Sequence, residues 1–117
     1  MSSERSIADL QTRTRQFADE RDWEQFHSPK NLAMAICGEA GELAEVFQWL
    51  TEEQSYLQGD ALQHAGEEMG DILIYLVRLA DRLGLDLEDC AYRKLAQNAE
   101  KYPVDKAKGN ARKHTEF

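Results

Sequence analysis

The sequence predicts an all-α protein: four to five helices in an antiparallel bundle that oligomerisation completes. Three observations predict it. Apolar residues recur at three-and-four spacing through four separate stretches. Strand signals are missing, with no sustained alternation, no Asn-Gly hairpin turn and few Val or Thr residues in runs. Helix punctuation falls between the periodic stretches, at Ser28-Pro29, Gly84, Asp86 and Tyr102-Pro103.

The first helix is expected from about Ser6 to about Glu20, with Ile7, Leu10, Thr14 and Phe17 along one side. A connection rich in aromatics follows, carrying Trp23 and Phe26. Ser28 as N-cap and Pro29 in the first turn start a second helix that continues to about Leu50. Thr51 to Gly59 is polar and reads as the loop, and so short a connection implies antiparallel neighbours. The third helix runs from roughly Ala61 to Leu83, where Gly84 supplies a left-handed C-terminal residue. Asp86 caps the fourth, Glu88 and Asp89 suit its first turn, and Tyr102-Pro103 ends it. The reading is one domain over residues 1–103 and a basic tail without periodicity over 104–117.

Length and charge narrow the function. A chain of 117 residues is long enough for one core. The run Ile72-Leu73-Ile74-Tyr75-Leu76-Val77 is apolar on more than one face, which calls for a partner subunit and predicts a homodimer or homotetramer. A formal net charge of −8 excludes nonspecific binding to nucleic acid or to an anionic membrane. Met1-Ser2-Ser3-Glu4-Arg5 lacks the apolar core of a signal peptide and no run has the length of a membrane span, so the expectation is a soluble cytoplasmic protein. Cys37 and Cys90 lack metal-type spacing and are expected as buried, reduced thiols.

The informative fault in this pattern is acidic. With Leu32 as origin, Ile36, Leu43, Phe47 and Leu50 lie within about sixty degrees of it on a helical wheel, and Glu39 lies in the same stripe. With Ile72 as origin, the stripe is Ala65, Met69, Leu76, Leu79 and Leu83, and Glu68 intrudes on it. Glu42 and Asp71 sit about sixty degrees to the same side in both helices. Carboxylates facing a core must be protonated, paired or bound to metal, because an unpaired buried charge costs several kcal/mol or more. Two such pairs point to a cation site at Glu39, Glu42, Glu68 and Asp71, and an oxygen-only ligand set favours Mg²⁺, or Mn²⁺, over zinc.

Other residues suit a ligand beside that cation. On the fourth helix Lys94, Asn98 and Lys101 share the inner side with Ala91, Leu95 and Tyr102, forming a strip able to cradle phosphate oxygens; lysines that snorkel outwards are the structural alternative. Lys106, Lys108, Arg112 and Lys113 could assist from the tail. Trp23, Phe26, Trp49 and Tyr75 offer π-faces for a nucleobase, and Glu24 and Gln25 can hydrogen-bond a base edge.

Taken together, Glu39-x-x-Glu42 and Glu68-x-x-Asp71 resemble the signature of the MazG-like all-α nucleoside triphosphate pyrophosphohydrolases, a superfamily that includes dimeric dUTPases. More narrowly, Phe17 to Leu32, Gly38 to Trp49 and Asp71 to Val77 are similar to members that hydrolyse dCTP, so the resemblance covers most of the chain. It implies Mg-dependent cleavage of a (deoxy)nucleoside triphosphate, dCTP or a modified cytosine nucleotide foremost, to monophosphate and pyrophosphate. It implies a catalytic metal held by Glu39, Glu42, Glu68 and Asp71, and nucleotide contacts from Trp23, Glu24, Gln25, Phe26 and His27 with Trp49 and Tyr75. One position departs from the pattern: Thr14 stands where vertebrate members have a substrate-contacting histidine, which leaves the base preference open. Two rival classes remain. A di-iron bundle needs Glu-x-x-His on two helices, and the chain offers one, Glu24-x-x-His27. A noncatalytic interaction module would keep the scaffold and tolerate loss of the acids.

Overall fold

Each helix begins where its cap dictates. In the computed structural model, which describes residues 4–117, Ser6 accepts a hydrogen bond from the Asp9 amide (3.0 Å) and opens α1, Ile7–Glu20. Ser28 accepts from the Asn31 amide (3.1 Å), and α2, Pro29–Phe47, follows with proline in its first turn. Helix α3 is Gly59–Leu83. Asp86 accepts from the Asp89 amide (3.0 Å) ahead of α4, Leu87–Lys101. The expectation drawn from Met1 to Ser3 lies outside the described residues.

Two helix ends use the same device. Gly84 has φ 69°, its neighbour Leu85 donates to the Ala80 carbonyl (2.8 Å), and Gly84 donates to Asp81 (3.2 Å), the paired bonds of a Schellman ending. At the end of α1 the left-handed residue is Asp22, φ 53°, with Trp23 donating to Ala18 (2.9 Å) and Asp22 to Asp19 (3.1 Å). Aspartate is one of the few non-glycine residues that tolerates this conformation. The consequence is directional: the chain reverses at Asp22 and enters a 3₁₀ turn, Glu24–Phe26, that leads into α2.

The described residues contain helices and turns and no strand, as the all-α reading expects. They form two compact units, one ending at Leu85 and the other spanning Asp86–Phe117. In the first unit α3 packs against both α2 and α1. Helices α2 and α3 run antiparallel, since Glu45 shares a cleft with the early residue His64 whereas Glu39 lies within electrostatic reach of the later Asp71. The fully covered apolar side chains are few: Ala18, Leu32, Ala65, Val77 and Ala80. Met34, Leu62 and Met69 are each more than half exposed.

Three expectations change. Helix α2 stops at Phe47 rather than near Leu50, because Thr51 and Gln54 bond reciprocally, the Thr51 amide to Gln54 Oε1 (2.9 Å) and the Gln54 amide to Thr51 Oγ1 (3.2 Å), and hold a separate turn. The residues after Pro103 are not an aperiodic tail. They form a short helix α5, Val104–Ala107, and a 3₁₀ turn, His114–Glu116, where Tyr102 meets the rings of His114 and Phe117 edge-on at 5.6 and 5.8 Å. Both cysteines are free, but Cys37 is exposed and Cys90 half-buried, since neither lies on the covered stripe of its helix. Among the described residues no helix is long and apolar enough to cross a membrane.

Candidate functional site

Helical register brings three of the four acids together. Glu39 and Glu42 lie one turn apart on α2, and Glu68 faces them from α3, so that one carboxylate oxygen of each lies within 4.8 Å of the others. Glu68 is buried, at 9 % exposure, and Glu39 half-buried. Glu39 Oε2 and Glu68 Oε2 are buried atoms with no hydrogen-bond partner. Buried carboxylate oxygens without donors are costly, and two of them side by side ask for a cation. The donor set is oxygen only, which fits a hard divalent ion such as Mg²⁺ or Mn²⁺. This is the one group among the described residues arranged to hold a metal. Asp71 is not among its converging oxygens, although its charge acts on Glu39; its side chain lines the neighbouring cavity instead.

Electrostatics follow from that crowding. Contact with the Glu68 carboxyl, partial burial, and the charges of Glu42, Glu68 and Asp71 push the Glu39 carboxyl up to about 7. Between 4.5, its ordinary value, and about 7 the folded chain therefore binds more protons at Glu39 than the unfolded one. This contribution makes stability fall as pH rises through that window. Asp81 has the opposite sign. A hydrogen bond from Arg15, a second from Gln11, and the charges of Arg15 and Arg78 hold it at about 2 against an ordinary 3.8, so its contribution is complete above 3.8 and lost as pH falls towards 2. Calorimetry in EDTA is expected to show the Glu39 slope above pH 4.5, to lose it in Glu39→Gln, and to lose it when Mg²⁺ is added to the parent. A slope that survives in Glu39→Gln would refute the assignment to this carboxyl.

Beside the acids lies a cavity of about 490 Å³. Thr14 and Phe17 come from α1, Trp23 and His27 from the turn region, and Asp71, Tyr75 and Arg78 from α3. Trp23 meets Phe17 edge-on at 5.7 Å and His27 at 6.1 Å, so the reversal at Asp22 is what sets the indole as a wall. Burial and the Arg78 charge lower the His27 pKa below the usual histidine range, which leaves the imidazole neutral at pH 7. A second, more polar cleft of about 500 Å³ is lined by Glu42, Glu45, Val46, His64 and Glu68.

An ion-pair network frames the aromatic cavity. Arg78, 2 % exposed, donates from Nη2 to Glu24 and from Nη1 to Asp81 (2.9 Å), while Arg82 bonds the second oxygen of Glu24. Asp81 also accepts from Arg15 Nε (2.9 Å) and Gln11 Nε2 (3.0 Å). The turn and α1 are thereby tied to the same stretch of α3.

The residues expected at the site thus divide. Trp23, His27, Asp71 and Tyr75 share the aromatic cavity, and Glu39, Glu42 and Glu68 share the acid cluster. Glu24 has both oxygens committed to arginines, so Glu24-x-x-His27 forms no metal group. Gln25 turns back to the Asp22 carbonyl (3.0 Å) and carboxylate (3.2 Å). Phe26 is 60 % and Trp49 86 % exposed, and neither lines this cavity within the single chain. Lys94, Asn98 and Lys101 belong to α4 in the second unit, the lysines exposed and Asn98 half-buried.

Sequence reasoning missed Phe17 as a cavity wall, and it missed Arg78. A signal for the latter exists: Asp71, Tyr75, Arg78 and Arg82 recur at spacings of four, three and four and occupy one side of α3. A cation on that side, within an apolar run, needs a partner.

Comparison with known proteins adds a pattern independent of this geometry. A model of the MazG-like family matches residues 34–117. The chain is 46% identical to dCTP pyrophosphatase 1 of Bos taurus and to that of Homo sapiens, over 99% of this chain and 70% of each relative. It is 44% identical to the Mus musculus protein of the same name over the same shares. A crystal structure of a pyrophosphatase from Archaeoglobus fulgidus superposes with a TM-score of 0.75 at 33% identity, covering 88% of this chain and 97% of that one.

Proposed function

The chain belongs to the MazG-like family, and from that premise we propose that it hydrolyses a nucleoside triphosphate, dCTP or a modified cytosine nucleotide foremost, to the monophosphate and pyrophosphate. The observation that carries this reading is the convergence of Glu39, Glu42 and Glu68, with two buried oxygens lacking donors, beside an aromatic cavity with ample room for a base. The relatives named as dCTP pyrophosphatases support the same activity.

Glu39, Glu42 and Glu68, with Asp71 at the boundary of the cavity, hold a divalent cation in this reading, Mg²⁺ first and Mn²⁺ second. What such an ion supplies when bound is neutralisation of phosphate charge and acidification of a water molecule. The chain's own residues do the rest. Trp23, Phe17 and Tyr75 enclose the base and exclude water from it. Asp71, lining the base cavity while its charge reaches the acid cluster, joins base recognition to the phosphate end. Glu42 is the exposed member of the cluster, and an oxygen it does not give to the cation can hold an attacking water as general base.

The test is pyrophosphate release from a panel of canonical and modified nucleoside triphosphates, with Mg²⁺ and with Mn²⁺. Preferential turnover of cytosine deoxynucleotides supports the reading. Silence across the panel would replace it with the noncatalytic interaction module.

Self-association belongs to the same proposal. Met34, Leu62 and Met69, at 65 %, 55 % and 60 % exposure, leave apolar surface that a second copy would cover. Sedimentation equilibrium is expected to give a dimer or tetramer, and Met69→Glu to shift it towards the monomer; a monomer at micromolar concentration would count against this.

A further inference from the structure

One face of α3 runs through the whole site. His64, Glu68, Asp71, Tyr75 and Arg78 recur at spacings of four, three, four and three, which keeps them within about forty degrees of a common line along the helix. Tyr75 and Arg78 line the aromatic cavity, whereas His64 lines the polar cleft of about 500 Å³ with Glu42, Glu45, Val46 and Glu68. Along that face Glu68, the α3 member of the acid cluster, stands between the two.

With its base in the aromatic cavity and its phosphates at the acids, a nucleoside triphosphate lies along α3 from Tyr75 towards His64. Eleven residues at about 1.5 Å each separate these two, roughly 16 Å, a length that base, sugar and three phosphates can span. His64 therefore stands beyond the acids, at the end where the terminal phosphates lie.

Its surroundings make it the group that can meet them. Of the five side chains lining the cleft, three are carboxylates and Val46 is apolar, so His64 supplies the N–H donor there. The imidazole is not already committed. Its ion-pair neighbour among the described residues is Glu68, whose Oε1 lies 3.9 Å from Nε2, too far for a hydrogen bond. The side chain is 58% exposed and so within reach of a ligand. The carboxylates of the cleft repel a bare anion, so phosphates enter it only in company with a divalent cation at Glu39, Glu42 and Glu68.

We propose that His64 is a substrate-binding residue for the phosphate end: its ring N–H donates to an oxygen of the terminal phosphates of the triphosphate, and then to the pyrophosphate that leaves. Standing one helical turn before Glu68, it steadies oxygens that gain charge as the bond to the leaving group breaks. The base lies on the other side of the acids, out of its reach. The proposal rests on the reading that the aromatic cavity holds the base and the acids hold the cation.

Because His64 is exposed, His64→Ala spares the core, and inhibition by the two products separates the two ends of the site. With Mg²⁺ present, inorganic pyrophosphate is expected to inhibit His64→Ala about tenfold more weakly than the parent, the scale of one hydrogen bond to a charged group, while inhibition by dCMP is unchanged. His64→Gln keeps an N–H donor and is expected to recover most of the pyrophosphate affinity. Mn²⁺ binding to the nucleotide-free protein, followed by electron paramagnetic resonance, is expected to match the parent in both variants. Unchanged inhibition by pyrophosphate in His64→Ala overturns the proposal. So does equal weakening for pyrophosphate and dCMP, a glutamine variant as weak as the alanine one, or a loss of Mn²⁺ affinity, which would make His64 a metal ligand. Each of these outcomes, in a protein that still hydrolyses dCTP, leaves the pyrophosphohydrolase reading standing. Absence of turnover for every nucleoside triphosphate in the parent overturns both.

Discussion

Glu68→Gln is expected to reduce pyrophosphate release by at least about a hundredfold while the metal-free protein stays as stable as the parent or becomes more so. The two effects have one cause. Glu68 is 9 % exposed, lies within reach of Glu39 and Glu42, and has an unpartnered oxygen, so without a cation its charge is a liability to the fold. Glutamine keeps the volume and removes that charge. The same change removes an anionic ligand from a site whose cation is worth several kcal/mol of transition-state stabilisation, and each 1.36 kcal/mol is about a tenfold change in rate. Ordinary surface glutamates would behave otherwise, with neither effect. The measurement pairs a pyrophosphate assay at saturating Mg²⁺ with urea denaturation in EDTA. Turnover within about twofold of the parent would remove Glu68 from the reaction. Loss of activity together with loss of stability would instead make it a structural acid.

That prediction draws on the part of the molecule that sequence reveals best. Helix starts at Ser6, Ser28 and Asp86 are local events, written in one residue and the amide three positions on, and the structure has all three caps. The acid pairs on α2 and α3 were visible because a charge within an apolar stripe contradicts its surroundings, and helical periodicity alone exposes the contradiction. What periodicity does not carry is pairing at a distance. Glu24 meets Arg78 across 54 residues and Arg82 across 58, and only the reversal at Asp22 makes either meeting possible. Periodicity thus shows Glu24 as a candidate base contact and leaves out its two bonds to the arginines of α3. Exposure was also out of reach for single side chains. Met69 and Leu83 lie in the apolar stripe of α3 yet are exposed, because periodicity assigns a residue to a face and does not say what packs on that face.

The ion-pair network supplies the second large effect: Asp81→Ala is expected to destabilise the protein by about 3 kcal/mol, the scale for removing one partner of a buried pair. Asp81 accepts from Gln11, Arg15 and Arg78, and its side chain is 10% exposed, so deletion leaves Arg78 with Glu24 as its remaining ionic partner at a site closed to water. Most of the loss is the under-compensated buried charge and not the vanished attraction. A triple variant, Glu24→Gln with Arg78→Met and Asp81→Leu, tests this directly, because it removes all three charges of the Arg78 pairs at once and is expected to lie within about 1 kcal/mol of the parent, as apolar replacements of buried ion pairs often do. Equal instability in the single and triple variants would show that packing, not charge, governs the region. Urea denaturation of the three proteins decides it.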